Sequence, residues 1–224
     1  MDSPRSKGRP SQALLSRKKI ADSALRIIED SGYDKLTMAR IARQMGVAPS
    51  ALYNHVRNKH ELLILVEDAV MAQVDTALLD AALAGKHDPV AAIEHWAESY
   101  REVFARHAPL VEVIASVPVS GAPRAVQMYE KVARVFELAG VEEELILPRV
   151  IMLESFIYGS ALDVNAPATI FEVPADYEVE APTLRKSRAA WAASLSQAAG
   201  EENNPFAEQP FRLGLQALLA GLVA

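Results

Sequence analysis

The segment from Thr37 to Val56, TMARIARQMGVAPSALYNHV, predicts two short helices joined by a tight turn. Thr37 is a residue type that caps the N-termini of helices, and Ile41, Ala42 and Met45 follow it at helical spacing on one face. Two short helices with an apolar face and a turn between them form a helix-turn-helix. The segment therefore indicates an all-α fold for this part of the chain.

The turn and the second helix carry separate signals. Gly46 can adopt the left-handed conformation that ends a helix, and Pro49 suits the first turn of the next helix. Leu52 and Val56 lie four residues apart and are expected to face inward. The remaining small, polar and aromatic side chains suit the major groove of DNA. A plain hairpin in a helical bundle has the same spacing, so spacing alone leaves both interpretations open.

Charge is unevenly divided along the chain. Residues 1–60 contain 12 Lys and Arg against 5 Asp and Glu, whereas residues 61–224 contain 11 against 24. The first part therefore has a net charge of +7 and the second −13, although the whole chain has −6. Contact with phosphates requires clustered basic residues, so this asymmetry favours DNA binding by the N-terminal part.

The first helix ends in EDSGYDKLT, and IARQMGVAPSALYNHVRNKHELL follows it. With these motifs, residues 14 to 66 resemble the DNA-binding domain of the tetracycline-repressor (TetR) family. The positions that match the family pattern are Tyr33, Ala42, Gly46, Val47, Leu52, Tyr53, His55, Asn58, Lys59 and Leu62. The resemblance implies an all-α fold with an N-terminal three-helix DNA-binding domain, joined by a continuous helix to a C-terminal helical ligand-binding and dimerisation domain.

Helix position, basic charge and the resemblance together predict a DNA-contacting surface. Side chains of the second helix of the helix-turn-helix are expected to face the bases. The residues expected to hold the phosphate backbone are Thr37, Arg40, Tyr53 and Lys59. Family members commonly carry Ser or Thr where Ala48 stands, so a hydroxyl cap and a phosphate contact are missing here. The predicted DNA-binding residues are Thr37, Arg40, Pro49, Ser50, Ala51, Tyr53, Asn54, His55 and Lys59.

The chain divides into a flexible basic arm (1–13), a helix-turn-helix domain (14–60) and a helical effector-binding and dimerisation domain (61–224). The arm is either an ordinary disordered terminus or a segment that lies along DNA. An amphipathic pattern predicts one helix from Lys59 to Ala84, which would connect the domains as a rigid lever. Further helices are predicted over 89–107, 110–117, 122–139, 142–164, 183–199 and 211–223, with a loop over 165–182.

Catalytic and metal-binding patterns are absent from the sequence. There is no cysteine, hence no disulfide or thiolate zinc site, which fits a reducing cytosol. No HExxH motif, glycine-rich phosphate loop or nucleophile elbow occurs. We therefore expect no enzymatic activity, no catalytic residues, no metal ligands and no cofactor. The N-terminus is polar, and no apolar run approaches the roughly 20 residues of a spanning helix, so we expect a cytoplasmic protein without a membrane partner.

Acidic residues recur at i, i+4 in the helix predicted over 89–107, at Glu94, Glu98 and Glu102. Such a stripe is either a set of metal ligands or a solvated helix face. No histidine stands in the stripe and Arg101 lies beside it, so a solvated face with Arg101 as its partner is favoured.

An aromatic stripe lies on one side of the same predicted helix. It is either ordinary core or one wall of a small-molecule pocket, since Trp, Tyr and His carry polar atoms that need partners when buried. The family resemblance favours a pocket, because relatives hold an inducer among the central helices of this region. The predicted ligand-binding residues are Trp96, Tyr100, Phe104, His107, Met128, Met152 and Phe156.

The last helix, FRLGLQALLAGLVA, is apolar almost all round and would expose a large apolar patch in a monomer. Helix-turn-helix proteins also read longer sites by symmetry, so a homodimer is expected. Two glycines seven residues apart on this helix permit close helix approach. We expect a four-helix contact with the helix over 152–161, and the predicted interface residues are Gly159, Gly214, Leu218 and Gly221.

Together these observations favour a ligand-responsive, DNA-binding transcriptional regulator, in which a small-molecule effector releases a repressor from its operator. Its expected partners are double-stranded operator DNA, a second copy of the chain and an unidentified effector. Two alternatives stay open. A fully packed C-terminal domain would favour a DNA-binding protein without an effector, and turnover of a bound compound would favour a helical enzyme with an accessory DNA module.

Overall fold

The computed structural model describes residues 15–195 and 204–221, and the described residues form an all-α fold, which confirms the predicted fold class. The predicted arm over 1–13 and the end of the last predicted helix lie outside the described residues. The helices are α1 Arg17–Ser31, α2 Met38–Met45, α3 Pro49–Tyr53, α4 Lys59–Met71, α5 Ala77–Leu83, α6 Pro89–Arg106, α7 Val111–Ile114, α8 Pro123–Leu138, α9 Glu143–Val164, α10 Pro182–Ser194 and α11 Glu208–Ala220.

The first three helices form the predicted helix-turn-helix unit. The Thr37 hydroxyl accepts a hydrogen bond from the Arg40 backbone N–H at 3.2 Å and so caps α2. Gly46 ends α2 at φ +66°, in the left-handed region that favours glycine. Leu52 and Val56 are fully buried. The cap, the turn and the two inward positions are therefore confirmed.

The connection between the domains is shorter than predicted. The helix expected from Lys59 to Ala84 is two helices, because α4 ends at Met71 and α5 begins at Ala77. Asp75 lies in the break, where its N–H donates to the Ser99 hydroxyl at 2.8 Å and its carboxylate accepts the Ala77 N–H at 2.8 Å. These bonds replace helical ones, as short polar side chains commonly do. The prediction of one unbroken helix was wrong.

The C-terminal core is built around α6 and α9, which pack against each other, with α5 and α8 against α6 and α11 against α9. Helix α4 packs against both α1 and α8, so it belongs to both parts of the fold. The helix predicted over 110–117 is only the four-residue α7, which follows a 3-10 turn over 108–110. Helix α10 has no buried residue and lies at the periphery.

Arg101 does not lie on the solvated face of α6. Its guanidinium is buried and donates to the Ser160 hydroxyl at 2.9 Å, to the Glu208 carboxylate at 2.8 Å and to the Ala207 carbonyl at 3.0 Å. The group also lies 4.4 Å from the ring centroid of Phe211. The expectation of Arg101 as a surface partner was therefore wrong, because this side chain joins α6 to α9 and α11.

Among the described residues one helix, α9, is long and apolar enough by composition to cross a membrane, with a mean hydropathy of 1.5. One side of α9 packs on α6, α8 and α11, whereas Met152, Gly159 and Leu162 are exposed on the opposite side. Leu213 and Ala217 are exposed on the adjoining α11. We call these exposed residues of α9 and α11 the outer face.

Candidate DNA interface and ligand cleft

The predicted base-reading residues lie at the surface of α3 and just after it. Ser50, Tyr53 and Asn54 are exposed, and Tyr53 retains 52% of its accessible area although it is aromatic. Ala51 and His55 are half-buried. An exposed hydroxyl, phenol and amide on one short helix can donate to and accept from base edges. Pro49 is exposed at the start of the same helix.

This short helix is held in place from its buried side and from its end. Leu52 packs in the core of the unit, and the Arg17 guanidinium of α1 donates to the His55 carbonyl at 3.1 Å. No side chain caps α3 at Ala48, as the sequence had indicated. The orientation of α3 therefore depends on α1 and on the turn from α2.

Lys59 begins α4 beside this surface. Its ammonium lies 4.2 Å from the ring centroid of Tyr33, and its side chain is exposed. Asn58 caps the helix by accepting the Glu61 N–H at 2.8 Å, and the Glu61 carboxylate accepts the Arg57 N–H at 2.5 Å. A reciprocal arrangement of this kind fixes a helix start. Lys59 is thus presented from an ordered first turn.

The two predicted phosphate-binding residues of α2 have partners inside the protein. Arg40 is half-buried and its guanidinium donates to the Ser31 hydroxyl at 2.7 Å. Thr37 is exposed and uses its oxygen as the cap of α2. The hydroxyl hydrogen of Thr37 is left to donate to a phosphate. The exposed basic residues Lys35 and Arg43 lie in the same unit and were not singled out from the sequence.

A cleft of about 410 Å³ opens in the C-terminal part, between α4, α8, α9 and the segment that follows α7. Aliphatic side chains such as Val126, Leu147 and Ile151 form most of its walls. Its polar lining consists of Glu67, Tyr129, Glu130, Glu154 and Tyr158. Apolar walls with a few convergent polar groups are typical of small-molecule sites.

Three tyrosine hydroxyls converge on one carboxylate at the inner end of the cleft. Tyr100 donates to Glu154 Oε1 at 2.8 Å, Tyr158 donates to the same oxygen at 3.0 Å, and Tyr129 also donates to it. Burial is the main reason why the pKa values of these three tyrosines lie well above their usual range. The hydroxyls therefore stay protonated, and the Glu154 carboxylate is held by neutral donors.

Glu67 lines the same cleft from α4 and is only 1% exposed. Its Oε2 atom accepts no hydrogen bond from the described residues. Burial, together with the negative charges of Glu154 and Asp68, raises the pKa of Glu67 to about 7. A carboxyl group on the connecting helix therefore changes its charge near neutral pH.

The predicted aromatic stripe does not line this cleft. Trp96, Tyr100 and Phe104 are fully buried, and their neighbouring ring centroids are 5.5 and 4.9 Å apart. Only the Tyr100 hydroxyl reaches the polar end, through Glu154. The stripe packs as core with one polar tip, and a role of these residues in ligand binding stays a prediction.

The other predicted ligand-binding residues point in different directions. His107 is buried at the end of α6, where its Nε2 lies 3.2 Å from the Gln73 side-chain oxygen. Met128 lines a separate surface depression, and Met152 lies on the outer face. Phe156 stacks on Phe211, with ring centroids 5.6 Å apart. The structure does not bring these residues to one site, because α6, α8 and α9 present them on different sides.

Some residues that line the cleft could have been recognised from their spacing in the sequence. Glu67 interrupts the apolar stripe of α4, four residues after Leu63 and three before Val70. Glu154 and Tyr158 are spaced i, i+4 on α9. A carboxylate on the apolar side of a helix requires a partner inside the fold. Glu67 could therefore have been predicted from the sequence as a buried polar residue.

Two of the four predicted interface residues are exposed, and Gly214 is half-buried like Leu218. Gly159 and Gly221 are exposed, and Leu218 is half-buried. A Cβ atom added at Gly214 would lie 2.5 Å from the ring of Phe156 in the same chain. The close approach that Gly214 permits is therefore between α11 and α9 within one chain, and its place in a contact between chains stays a prediction.

Two family comparisons cover most of the chain. Residues 20–66 match the sequence model for bacterial regulatory proteins of the tetR family, and residues 83–224 match the model for the tetracyclin repressor-like C-terminal domain. The chain belongs to the TetR family. This confirms the resemblance stated from the sequence. Members of the family are DNA-binding transcriptional regulators and not enzymes, as expected.

Individual relatives match over shorter lengths. The transcriptional repressor DrrR1 of Streptomyces coeruleorubidus is 28% identical over 160 residues, which are 71% of this chain and 57% of DrrR1. The class D tetracycline repressor of Escherichia coli is 34% identical over 70 residues, 31% of this chain and 32% of that protein. The chain thus spans less than two thirds of the length of either relative.

Solved structures match over nearly the whole chain. Apo ActR from Streptomyces coelicolor has a TM-score of 0.70 at 25% identity, covering 94% of this chain and 96% of ActR. ActR in complex with (S)-DNPA has a TM-score of 0.68 at the same identity, covering 94% and 98%. BioQ with its double-stranded DNA operator, at 21% identity and a TM-score of 0.62, shares the fold and covers 94% and 99%.

Proposed function

We propose that this protein is a cytoplasmic transcriptional repressor that binds operator DNA as a homodimer and is released when a small molecule occupies the cleft beside Glu67. The observation that carries the proposal is the position of α4. Its first turn holds Lys59 next to α3, and Glu67, eight residues later on the same helix, lines the cleft. At 1.5 Å per residue the two lie about 12 Å apart along one helix.

On DNA, α3 enters the major groove with Ser50, Tyr53 and Asn54 toward the bases. Lys59 and the Thr37 hydroxyl contact phosphates on either side of the groove. The exposure of these residues and the positive charge of residues 1–60 support this orientation. In a symmetric dimer the two copies of α3 reach half-sites about 34 to 36 Å apart, or multiples of this spacing.

A ligand weakens DNA binding only if it binds more tightly to a conformation that fits DNA poorly. The cleft is bordered by α4 on one side and by α8 and α9 on the other, so a bound molecule bears directly on the position of α4. A shift of α4 moves Lys59 and the neighbouring α3. A coupling of about 1 to 3 kcal/mol weakens operator binding roughly 5- to 150-fold.

Operator binding is tested by selecting sites from a random duplex pool and measuring affinity by fluorescence anisotropy over a range of salt concentrations. Lys59→Ala is expected to weaken all sites alike and to lower the slope of log affinity against log salt by about 1. Asn54→Ala is expected to change base preference. Lys86→Ala, exposed before α6, is the control. An unchanged salt slope in Lys59→Ala would contradict this orientation on DNA.

Release is tested by screening small molecules for loss of operator anisotropy. Ala133→Trp places an indole in the cleft, whereas Leu138→Trp places one at the exposed end of the same helix. A compound that acts through the cleft is expected to release the wild type and Leu138→Trp but not Ala133→Trp. Equal release of both variants would place the effector elsewhere. Operator DNA must also lower the affinity of the protein for the compound by the same factor, and calorimetry with and without operator measures this.

A further inference from the structure

The inner end of the cleft contains more hydrogen-bond acceptors than donors. Glu154 Oε1 receives three tyrosine hydroxyls, but Glu67 Oε2 receives nothing from the described residues. Glu67 is almost fully buried, so little solvent reaches it. An ionised carboxylate without a partner in such a place is unfavourable, and a group that supplies positive charge relieves this.

Among the described residues, no basic side chain contributes to the pKa of Glu67. The charges that raise the pKa of Glu67 are those of Glu154 and Asp68, and both are negative. Asp68 lies 3.8 Å from the Arg124 guanidinium, so its charge already has a partner. The tyrosines that face Glu67 and Glu154 from α6, α8 and α9 stay neutral, because burial raises their pKa values. The described lining of the cleft therefore contains carboxylates and no cationic group.

The walls of the cleft indicate an apolar body for a ligand that binds there. Val126, Leu147 and Ile151 offer apolar surface. Tyr129 and Tyr158 add aromatic rings next to the carboxylates, and such rings attract cations. An anion is repelled by two carboxylates, and a neutral hydrogen-bond donor gains less from their charge than a cation does. The volume of about 410 Å³ accommodates a body of drug-like size.

We propose that the effector is an amphipathic organic cation, with an apolar body against the aliphatic walls and a protonated amine between Glu67 and Glu154. This rests on the proposed function and names the chemical class of its effector. The amine N–H donates to the carboxyl group of Glu67 where that group lines the cleft, and no described residue donates to its buried Oε2 atom. The charge of the ligand adds to the hydrogen bond, because charge-assisted bonds are stronger than neutral ones.

The proposal predicts a particular dependence on pH. Glu67 has a pKa of about 7 in the free protein, and a neighbouring cation lowers it by favouring the ionised form. Below this pH a proton must leave Glu67 when the ligand binds, so affinity falls as the pH is lowered. The fall approaches about tenfold per pH unit. At neutral pH the binding releases protons, which calorimetry in two buffers of different ionisation enthalpy detects.

The probes are a matched pair: naphthylpropyl-dimethylamine, which is protonated at neutral pH, and the hydrocarbon in which CH replaces the protonated nitrogen. The two have the same shape and differ in charge, and naphthalene fluorescence reports binding to wild type, Glu67→Gln and Glu130→Gln. Glu67→Gln keeps the shape of the side chain and removes its charge. Glu130→Gln removes an exposed carboxylate at the rim of the same cleft.

Wild type and Glu130→Gln are expected to bind the amine at least about tenfold more tightly than the hydrocarbon at about pH 8. In Glu67→Gln the pH dependence should disappear, and the preference for the amine should fall several-fold to the part that Glu154 and the tyrosine rings supply. Equal binding of the two probes by the wild type overturns the proposal, as does a preference that is unchanged in Glu67→Gln. Failure of both probes to bind saturably also overturns it.

The same probes separate this proposal from the proposed function. If the hydrocarbon binds in the cleft as well as the amine and weakens operator affinity, the regulator is confirmed and the cationic effector is not. If the amine binds through Glu67 and operator affinity is unchanged, the cation site is confirmed and release through this cleft fails. Anisotropy of a labelled operator, measured beside the fluorescence titration, gives both results.

Discussion

Arg101 and Glu67 are both charged residues that the fold has buried, and they differ in how well they are partnered. Arg101 has a hydroxyl, a carboxylate and a carbonyl as acceptors and lies against an aromatic ring. Glu67 Oε2 has no donor among the described residues. A buried charge with partners joins elements, whereas one without them lowers stability and is available to a ligand. The two residues therefore predict opposite effects of mutation.

Arg101→Ala is expected to lower the free energy of unfolding by about 2 to 3 kcal/mol, since it removes charged hydrogen bonds and leaves the Ala207 carbonyl without a donor. Urea unfolding measures the change. Arg212→Ala is the control, because Arg212 pairs with the same Glu208 at the surface. An exposed pair of this kind contributes about 0.2 to 1 kcal/mol. A loss in Arg101→Ala no larger than that in Arg212→Ala would contradict the role assigned to Arg101.

Glu67 is expected to make stability depend on pH in the direction opposite to most carboxyl groups. Its pKa is raised from 4.5 to about 7, so the folded state binds the proton more tightly than the unfolded state. The stability that protonated Glu67 contributes to the folded state is fully present below about pH 4.5 and is lost as the pH rises through about 7. The free energy of unfolding of Glu67→Gln, relative to that of the wild type, should rise by up to about 3 kcal/mol between about pH 5 and 8.

Urea unfolding measures the free energy of unfolding of both proteins across this pH range. Taking the difference between the two proteins cancels the pH dependence that other carboxyl groups contribute. Glu130→Gln, exposed at the rim of the cleft, should follow the wild type at every pH. A difference between wild type and Glu67→Gln that stays constant with pH would show that Glu67 is solvated in the folded state.

At the residue scale the sequence predicted local features well and long-range partners poorly. The cap at Thr37, the left-handed Gly46 and the inward Leu52 depend on neighbours within a few positions. Arg101 depends on partners more than fifty residues away, and the acidic residues beside it in sequence suggested a surface pair instead. The lining of the cleft comes from separate helices, so no local pattern contains it.

Helix α4 is the element that joins the two parts of the fold, and its first turn is the most strongly specified part of it. Asn58 caps the helix, and Glu61 bonds back to the N–H of Arg57. The arrangement orders the turn from α3 into α4, which carries Lys59. The start of α4 is thus fixed by polar side chains, and the rest of the helix is fixed by packing on α1 and α8.

Asn58→Ala is expected to lower the free energy of unfolding by about 1 kcal/mol, because it removes the cap of α4. It should also weaken operator binding, since the first turn positions Lys59. Asn58→Ser retains an acceptor at the cap and should restore most of both quantities. Thermal unfolding and anisotropy on one selected operator measure them. If Asn58→Ser is as impaired as Asn58→Ala, the side chain acts by something other than capping.

At this scale most helices could be predicted from periodicity, since α6, α8 and α9 begin and end within a residue or two of the expected positions. The break after Met71 could not, because the apolar pattern continues through it. The connection after α4 is held by a bond from the N–H of Asp75 to the hydroxyl of Ser99, which lies on another helix. A tertiary contact of this kind overrides helix propensity.

In the described part of the molecule, the outer face of α9 and α11 is an exposed apolar surface. Met152 and Leu162 are exposed on α9, and Leu213 retains 61% of its accessible area on α11. Monomeric proteins rarely leave contiguous apolar patches of this kind in water. Two copies related by a two-fold axis would cover it with the four-helix contact predicted from the sequence.

Met152→Arg is expected to convert a dimer into a monomer at micromolar concentration, because it buries an unpaired charge at the centre of the outer face and repeats it across the two-fold axis. Sedimentation equilibrium measures the mass. Leu138→Arg is the control, since Leu138 is 55% exposed at the end of α8 and does not belong to the outer face. A monomeric wild type, or a dimeric Met152→Arg, would contradict the proposed interface.

His107 gives the DNA-binding unit a second attachment besides α4. It is buried at the end of α6, with Nε2 3.2 Å from the Gln73 side-chain oxygen and Nδ1 3.2 Å from a Glu29 oxygen of α1, the latter without hydrogen-bond alignment. A chimera that received residues 1–60 from another regulator would keep the covalent junction and lose Glu29. Exchangeable DNA-binding modules for this protein must therefore be matched at the surface facing His107 and not only at the splice point.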